Sequence, residues 1–310
     1  MSEAVQAFQR CPRCGNENRG EDYQCSFCGK RLRIESIERL FLFRRIEEEW
    51  TSPAKWYVKI FWLIRDPPKA FHDINHKRNR APGFTVVWLN SLLWGLMGLA
   101  FFSHYRLNIQ NAFPYAFSMF LSFFIFGAFY QFIFFGILVW LFSKGANYSV
   151  GFSKRLESRF GRGKKEKKKY VQSEISVFSI YRSGTLLQKQ ESHKMKMMLC
   201  AFAPFLLINI IKIIIILIGF PTIYVNVSGM YGFDSSIFIP MFSSPLWGVL
   251  DFLDAVTIAV WVPILMSIAI RELANSSTIR VLISSLIVGI IVSIFFFFMR
   301  PTLFGVAYAI

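Results

Sequence analysis

No Gly-rich phosphate loop, no nucleophile elbow and no histidine-bearing apolar segment occurs in the chain. Phosphoryl transfer and serine-type acyl transfer are thereby left without a convergent set of side chains. Acids are scarce, with 19 Asp and Glu against 35 Lys and Arg, a net charge of +16. Cysteine is scarcer still: there are five, four of them in two CxxC pairs and one, Cys200, inside an apolar run. That excludes a disulfide framework and points to metal-site usage in a reducing compartment. The first residues are polar and lack the apolar stretch of a secretory leader, so none is expected.

What is present is segregated. Residues 1–80 are charged and mostly polar, while residues 81–310 are apolar blocks broken by polar loops; overall the chain is 54% hydrophobic. The stretch Met197–Gly219 is almost wholly apolar around a single lysine, Lys212. As a helix of about 23 residues it is roughly 34 Å long, enough to cross a hydrocarbon layer about 30 Å thick. The same reading predicts spans at about 83–102, 115–142, 197–219, 246–270 and 281–299, with a kink at Pro263 in the fourth. The expected fold is an all-α polytopic membrane protein of five transmembrane helices with a small N-terminal zinc ribbon. Its parts are a ribbon at 1–33, amphipathic juxtamembrane helices at 34–80 and a membrane domain at 81–310.

Basic residues set the expected orientation. Residues 1–82 hold 16 Lys and Arg, the loop 143–196 holds 14 and the turn 271–280 holds two; the opposite side holds only Arg106 and Arg300. By the rule that positive charge stays on the cytoplasmic side, the N-terminus is cytosolic and the C-terminus lies across the membrane. The rule also accounts for the high net charge without nucleic acid, and no base-stacking module accompanies the lysines.

Cys11-Pro-Arg-Cys14-Gly15 and Cys25-Ser-Phe-Cys28-Gly29 are two metal knuckles. Each tight turn brings two thiolates to one ion, and four thiolates suit a tetrahedral structural zinc. A single iron in the same cage is the alternative, since rubredoxin knuckles resemble these. A closed four-thiolate site folds a ribbon too small to hold itself together and leaves no open position for catalysis. Arg10, Arg13, Arg19, Lys30, Arg31 and Arg33 surround it, as a binding face or a solvated surface.

Ile34–Trp50 is expected to be mainly helical, with a strand at Leu40–Phe43 as the alternative. Ser52-Pro53 starts a helix to Arg65 that carries Trp56, Tyr57, Ile60, Phe61 and Ile64 on one face, with Lys55 and Lys59 apart from them. Such a helix lies in a bilayer interface or packs on the ribbon. Asp66-Pro67 starts another helix. Within it His72-Asp73-Ile74-Asn75-His76 echoes the HExxH of zinc proteases. The acid is shorter and no third ligand is evident, so these read as exposed polar positions.

The segment Asp66-Pro67-Pro68-Lys69-Ala70-Phe71-His72-Asp73-Ile74, just ahead of the first span, resembles the D-P-x-x-A-F-x-x-I entry to the Yip domain. That is a Rab-interacting family of five-span membrane proteins. Cys200-Ala201-Phe202-Ala203-Pro204-Phe205 is similar to the entry of the family's third span, and Arg271-Glu272 through Arg280 to its short cytosolic turn. An N-terminal ribbon also resembles prokaryotic members. The resemblance covers about residues 60–300, less the loop 143–190. It implies a non-enzymatic adaptor in membrane organisation or trafficking that recruits cytosolic proteins, small GTPases being one class. The D-L-Y-G-P motif of eukaryotic members is absent.

Three membrane-associated features carry further expectations. Lys212 lies roughly 10 Å deep from the outer end of its span, and Asp251 and Asp254 lie about 7–12 Å deep from the same side. A buried charge needs a partner, so Lys212 is expected to pair with Asp254 or with both acids, with Asn209 on the same face. A structural pair, snorkelling to an interface, or an ion or proton site of a small-solute transporter all fit; the last is the alternative function. Ser285, Gly289 and Ser293 form a small-residue stripe suited to packing within the bundle or to dimerisation. Lys164, Lys165, Lys167, Lys168 and Lys169 form a cluster that would attract anionic lipid headgroups or serve only as a topology signal.

Overall fold

The computed structural model describes residues 8–25, 27–47, 52–76, 81–107, 112–153, 155–156, 186–225 and 244–307. The lipid-contact candidates Lys164, Lys165, Lys167, Lys168 and Lys169 lie outside the described residues, as does the loop 226–243. Five helices are long and apolar enough to cross a membrane: Gly83–Phe102, Phe113–Val150, Ser192–Gly219, Leu246–Ala274 and Thr278–Phe297. The protein is an integral, multi-pass membrane protein. Its large apolar side chains face outward as freely as inward. On the last helix Ile283, Ile287, Ile290, Ile291 and Ile294 all stay exposed, and on the second so do Phe117, Leu121, Ile125, Phe129 and Phe132. In water each would forfeit about 1.5–3 kcal/mol of burial; against lipid tails that cost vanishes.

The chain divides into two compact units. The first comprises Met1–Gly83, Val139–Ala201 and Ile264–Leu286, the second Phe84–Leu138, Phe202–Pro263 and Ile287–Ile310.

In the first unit, strands β1 (Phe8–Arg10) and β2 (Glu17–Arg19) pair antiparallel around the first knuckle. The segment after the ribbon is not a regular helix. It forms two 3-10 turns, Ser36–Arg39 and Phe41–Phe43, because Glu35, Glu38, Arg44 and Arg45 are drawn into tertiary contacts. Helices α1 (Trp56–Arg65) and α2 (Pro67–His76) follow. Asp66 ends the one and begins the other, and its carboxylate holds Arg44 at 2.6 Å. Trp56, Tyr57 and Phe61 are exposed on α1, whereas Lys59 is buried and bonded to Asp73 at 3.0 Å.

Three of the polar positions of α2 are likewise buried, contrary to expectation: His72 and Asp73 are each 4% exposed and Asn75 is 8% exposed. Asn75 donates to the Glu272 carbonyl at 2.7 Å, and His72 lies 4.0 Å from the Glu272 carboxylate. The histidine–aspartate pattern therefore serves an internal polar contact with the 264–286 segment.

Helix α3 (Gly83–Phe102) opens at a close approach, since a Cβ on Gly83 would lie 2.0 Å from the Lys196 carbonyl oxygen. Helix α4 (Phe113–Val150) has 38 residues, about 57 Å, well beyond the hydrocarbon thickness. The third span is broken into α5 (Leu186–Leu199), a 3-10 turn at Cys200–Phe202 and α6 (Pro204–Gly219). Pro204 lacks an N–H and is accommodated at a helix start.

In the second unit, Phe101, Phe123, Met119, Ile216, Phe220 and Leu250 cluster around Tyr105. Strands β3 (Tyr105–Leu107) and β4 (Ile223–Val225) pair parallel. The fourth span is α7 (Leu246–Val256), a π-helical turn at Thr257–Trp261 and α8 (Val262–Ala274). The irregularity is thus wider than a proline kink at Pro263 alone. The Thr257 hydroxyl donates to the Leu253 carbonyl at 2.7 Å, a back-bond that goes with local bending.

The last helix is α9 (Thr278–Ala307). A Cβ on Gly289 would lie 2.4 Å from Pro263 Cγ, and the Ser293 hydroxyl donates to the Ala255 carbonyl at 2.7 Å. These two positions of the small-residue stripe pack within the chain.

Candidate functional sites

The first site lies in the ribbon. Cys11, Cys14, Cys25 and Cys28 bring their Sγ atoms within 4.8 Å of one another. Cys11 lies 3.6 Å from Cys28 and Cys14 3.6 Å from Cys25. A disulfide would need about 2.05 Å. A tetrahedron with metal–sulfur bonds of about 2.3 Å has edges of roughly 3.8 Å, close to these separations.

The two knuckles are built alike. Gly15 donates its N–H to the Cys11 carbonyl at 2.9 Å, and Gly29 donates to the Cys25 carbonyl at 3.1 Å. Both glycines take positive φ, 72° and 65°, which a side chain would strain. Donors also reach the sulfurs: the Arg13 N–H to Cys11 at 3.4 Å and the Asn18 amide to Cys25 at 3.5 Å.

Burial opposes ionisation of Cys25, yet the N–H groups of Cys28 and Phe27 and the Asn18 amide pull its pKa down to about 6. Burial, and then the thiols of Cys14, Cys11 and Cys25, push Cys28 up to about 12. Four converging sulfurs cannot all ionise against one another, and a cation at their centre relieves that conflict. The donor set can hold one metal ion.

The ribbon is fastened within its own unit to the turn between α8 and α9. Asn275 sits at φ 49°, just past the end of α8, where Asn is tolerated in the left-handed region. Its Oδ1 accepts the N–H groups of Tyr23 and Gln24 at 3.2 and 2.9 Å, and its Nδ2 donates to the Gln24 carbonyl at 2.7 Å. Glu35 caps α9 from a distance: one carboxylate oxygen accepts the N–H groups of Thr278 at 2.8 Å and Ile279 at 3.1 Å. A negative charge there also suits the positive end of the helix dipole.

Arg45 and Glu38, both fully buried, pair at 2.6 Å, and Arg45 also donates to the Ser276 carbonyl at 2.5 Å. Arg271 donates to the carbonyls of Phe43 and of Arg44, the latter at 2.8 Å. None of Glu35, Glu38, Arg45 or Asn275 stood out in the sequence. The one available signal was Arg271-Glu272, a charged pair at the end of an apolar run.

The second site lies in the other unit. Lys212 on α6 and Asp254 on α7 are 2.5 Å apart and 3% and 5% exposed. Asp251 is 8% exposed on the same helix, one turn earlier. Asn209, one turn before Lys212, donates to the Asn90 side-chain oxygen on α3 at 3.0 Å. A small cavity of about 20 Å³ touches Gln131, Asn209, Lys212 and Asp254 and is otherwise walled by aromatics such as Phe135. That is room for about one water. Asn90 and Gln131 went unnoticed in the sequence, although a lone amide in an apolar run is itself a signal of a polar partner. The π-helical turn begins three residues after Asp254, and such turns frequently mark functional positions.

Comparison with family models, with curated proteins and with solved structures returns no significant match.

Proposed function

We propose that this protein is a non-enzymatic membrane adaptor of the Yip-domain type, whose head holds one structural zinc ion. In this reading the ribbon, the segment 143–196 and the turn at residues 275–277 face the cytosol, and the five spans anchor them. The observation that carries it is the fastening of the metal ribbon to that turn through Asn275 and Glu35. A head held in one orientation presents its outer face without the entropic cost of ordering it on each encounter. Phe27, Ile34 and Leu40 are large, apolar and exposed on that head, which supports protein recognition. The four-thiolate cage has no open coordination position, which supports a structural rather than catalytic metal.

The test is affinity capture from mild-detergent extracts with wild type, the Cys11→Ser/Cys14→Ser variant and Lys212→Met. Cytosolic proteins, small GTPases among them, should be captured by wild type and Lys212→Met and lost with the ribbon variant. A capture profile indifferent to the ribbon would overturn the reading.

A second reading, a small-solute or ion transporter, is favoured by one observation: the buried Lys212–Asp254 pair beside a water-sized cavity and a π-helical turn. It predicts ion-driven pH changes in proteoliposomes that disappear in Lys212→Met and persist in the ribbon variant.

A further inference from the structure

We infer that helix α1 is an interfacial foot: it lies in the lipid leaflet on the head's side and gathers anionic phospholipid headgroups through Lys55, Arg65 and Lys69. The inference holds for an adaptor and for a transporter alike.

The first unit holds the same-side end of all five spans. The first span starts at Gly83, the second ends at Val150, the third starts at Ser192, the fourth ends at Ala274 and the fifth starts at Thr278, and each of these residues belongs to that unit. The bilayer surface on that side therefore passes through it. Trp140, Lys144 and Tyr148 recur every four residues along the end of α4, all exposed, with Lys144 Nζ 5.7 Å from the centre of the Trp140 ring. Such aromatic and basic residues mark headgroup depth. Helix α1 is held at the same end of the spans. Lys59 ties it to Asp73 of α2 at 3.0 Å, and Asn75 of α2 donates to the Glu272 carbonyl near the end of α8 at 2.7 Å.

The outward face of α1 is apolar and aromatic. Tyr57, Phe61 and Ile64 follow one another at four and three residues, so they share a face, with Trp56 and Ile60 on its flank. Lys59 and Leu63, on the other side, are buried. That turns Trp56, Tyr57 and Phe61 outward, and all three stay exposed. Packing on the ribbon would have covered them.

The charge pattern says what covers this face. No Asp or Glu lies in the stretch 51–65. Lys55, Arg65 and Lys69 are exposed. The Arg65 guanidinium lies 5.9 Å from the centre of the Phe61 ring, and Lys69 Nζ lies 4.5 Å from that of Trp62, so both cations ride on the aromatic side chains. The neighbouring acids are already taken, Asp66 by Arg44 at 2.6 Å and Asp73 by Lys59 at 3.0 Å. An acid-free aromatic face ringed by cations matches a lipid surface, which is apolar below and anionic at headgroup level. A soluble anion would leave the aromatic face in water. Each cation near the leaflet surface adds about fivefold to the attraction for anionic lipid.

The test uses the metal-loaded full chain in phosphatidylcholine nanodiscs. A fixed small fraction of the lipid carries bromine on its acyl chains, as phosphatidylglycerol in one set and as phosphatidylcholine in the other. Bromine quenches an indole only at contact, and each protein is read against its own Trp56→Phe counterpart to isolate the Trp56 emission. Both lipids should quench Trp56, and brominated phosphatidylglycerol should do so several-fold more strongly. Lys55→Gln/Arg65→Gln/Lys69→Gln should make the two lipids equal while leaving quenching by phosphatidylcholine in place. High salt should do the same to wild type, by screening, which reads the preference even if the triple variant does not fold. A Trp56 that neither lipid quenches would mean that water or another protein covers the face, and would overturn the inference. Equal quenching by the two lipids in low-salt wild type would overturn it as well.

Discussion

The side-chain amide of Asn275 takes both backbone groups of Gln24, accepting the N–H at 2.9 Å and donating to the carbonyl at 2.7 Å. A single side chain thus does what a partner strand would do, and it joins residues 251 apart in the chain. The Asn275 main chain is already committed, since the left-handed turn lets the Ser276 N–H return to the Arg271 carbonyl at 3.3 Å and close α8.

Asn275→Gly isolates the amide, because glycine accepts the same backbone angle without strain. The head should lose about 1–3 kcal/mol of docking. Hydrogen exchange at the Tyr23 and Gln24 amides should rise, with metal content and span protection unchanged. Unchanged exchange at both amides would show that the contact is dispensable.

Metal removal should unfold the ribbon and spare the spans. A four-thiolate site supplies folding free energy directly, so a strong chelator or Cys11→Ser/Cys14→Ser should make residues 8–33 sensitive to protease. Far-ultraviolet dichroism, dominated by α3 to α9, should barely change. One equivalent of zinc by elemental analysis is expected in wild type; one equivalent of iron would favour the rubredoxin-like alternative.

The Lys212–Asp254 pair should behave as a buried ion pair. Lys212→Met strands an acid among aromatic and apolar side chains and should cost about 3–5 kcal/mol. Adding Asp254→Asn should recover most of that loss. Unfolding in mixed micelles by graded sodium dodecyl sulfate gives both numbers, and a double variant no better than the single one would mean the two charges do not depend on each other.

Glu35 makes ribbon docking pH-dependent. Burial works against its charge, but the Ser277 hydroxyl and the N–H groups of Ile279 and Thr278 hold its pKa below the ordinary 4.5. A depressed carboxyl stabilises the docked head fully above the undocked value and loses that contribution as pH falls through the docked one. The stability gap between wild type and Glu35→Gln should therefore be constant near neutral pH and close below pH 4.5. Urea midpoints for the head, measured in parallel on both proteins, cancel the separate effect of thiolate protonation.

Two kinds of information were legible in the chain to different degrees. The CxxC pairs and the apolar runs are local signals. The two thiolates of each knuckle share one ion across two intervening residues, and a helix must be apolar over about 20 residues to cross lipid, so both are written in consecutive letters. The depths of Lys212 and Asp254 in their spans could be counted the same way.

The burial of His72, Asp73 and Lys59 could not, nor could the roles of Glu35, Arg45 and Asn275. A polar residue reads as exposed until a partner from elsewhere in the chain arrives, and these partners lie on α1, on α2, on α8 and the turn after it, and in the ribbon and the segment that follows it. The sequence by itself determined that the chain inserts in a membrane and gathers four thiols. Only the tertiary structure decided where the head is held and which of its charged residues are buried, because hydrogen bonding between distant segments leaves no periodic trace in either one.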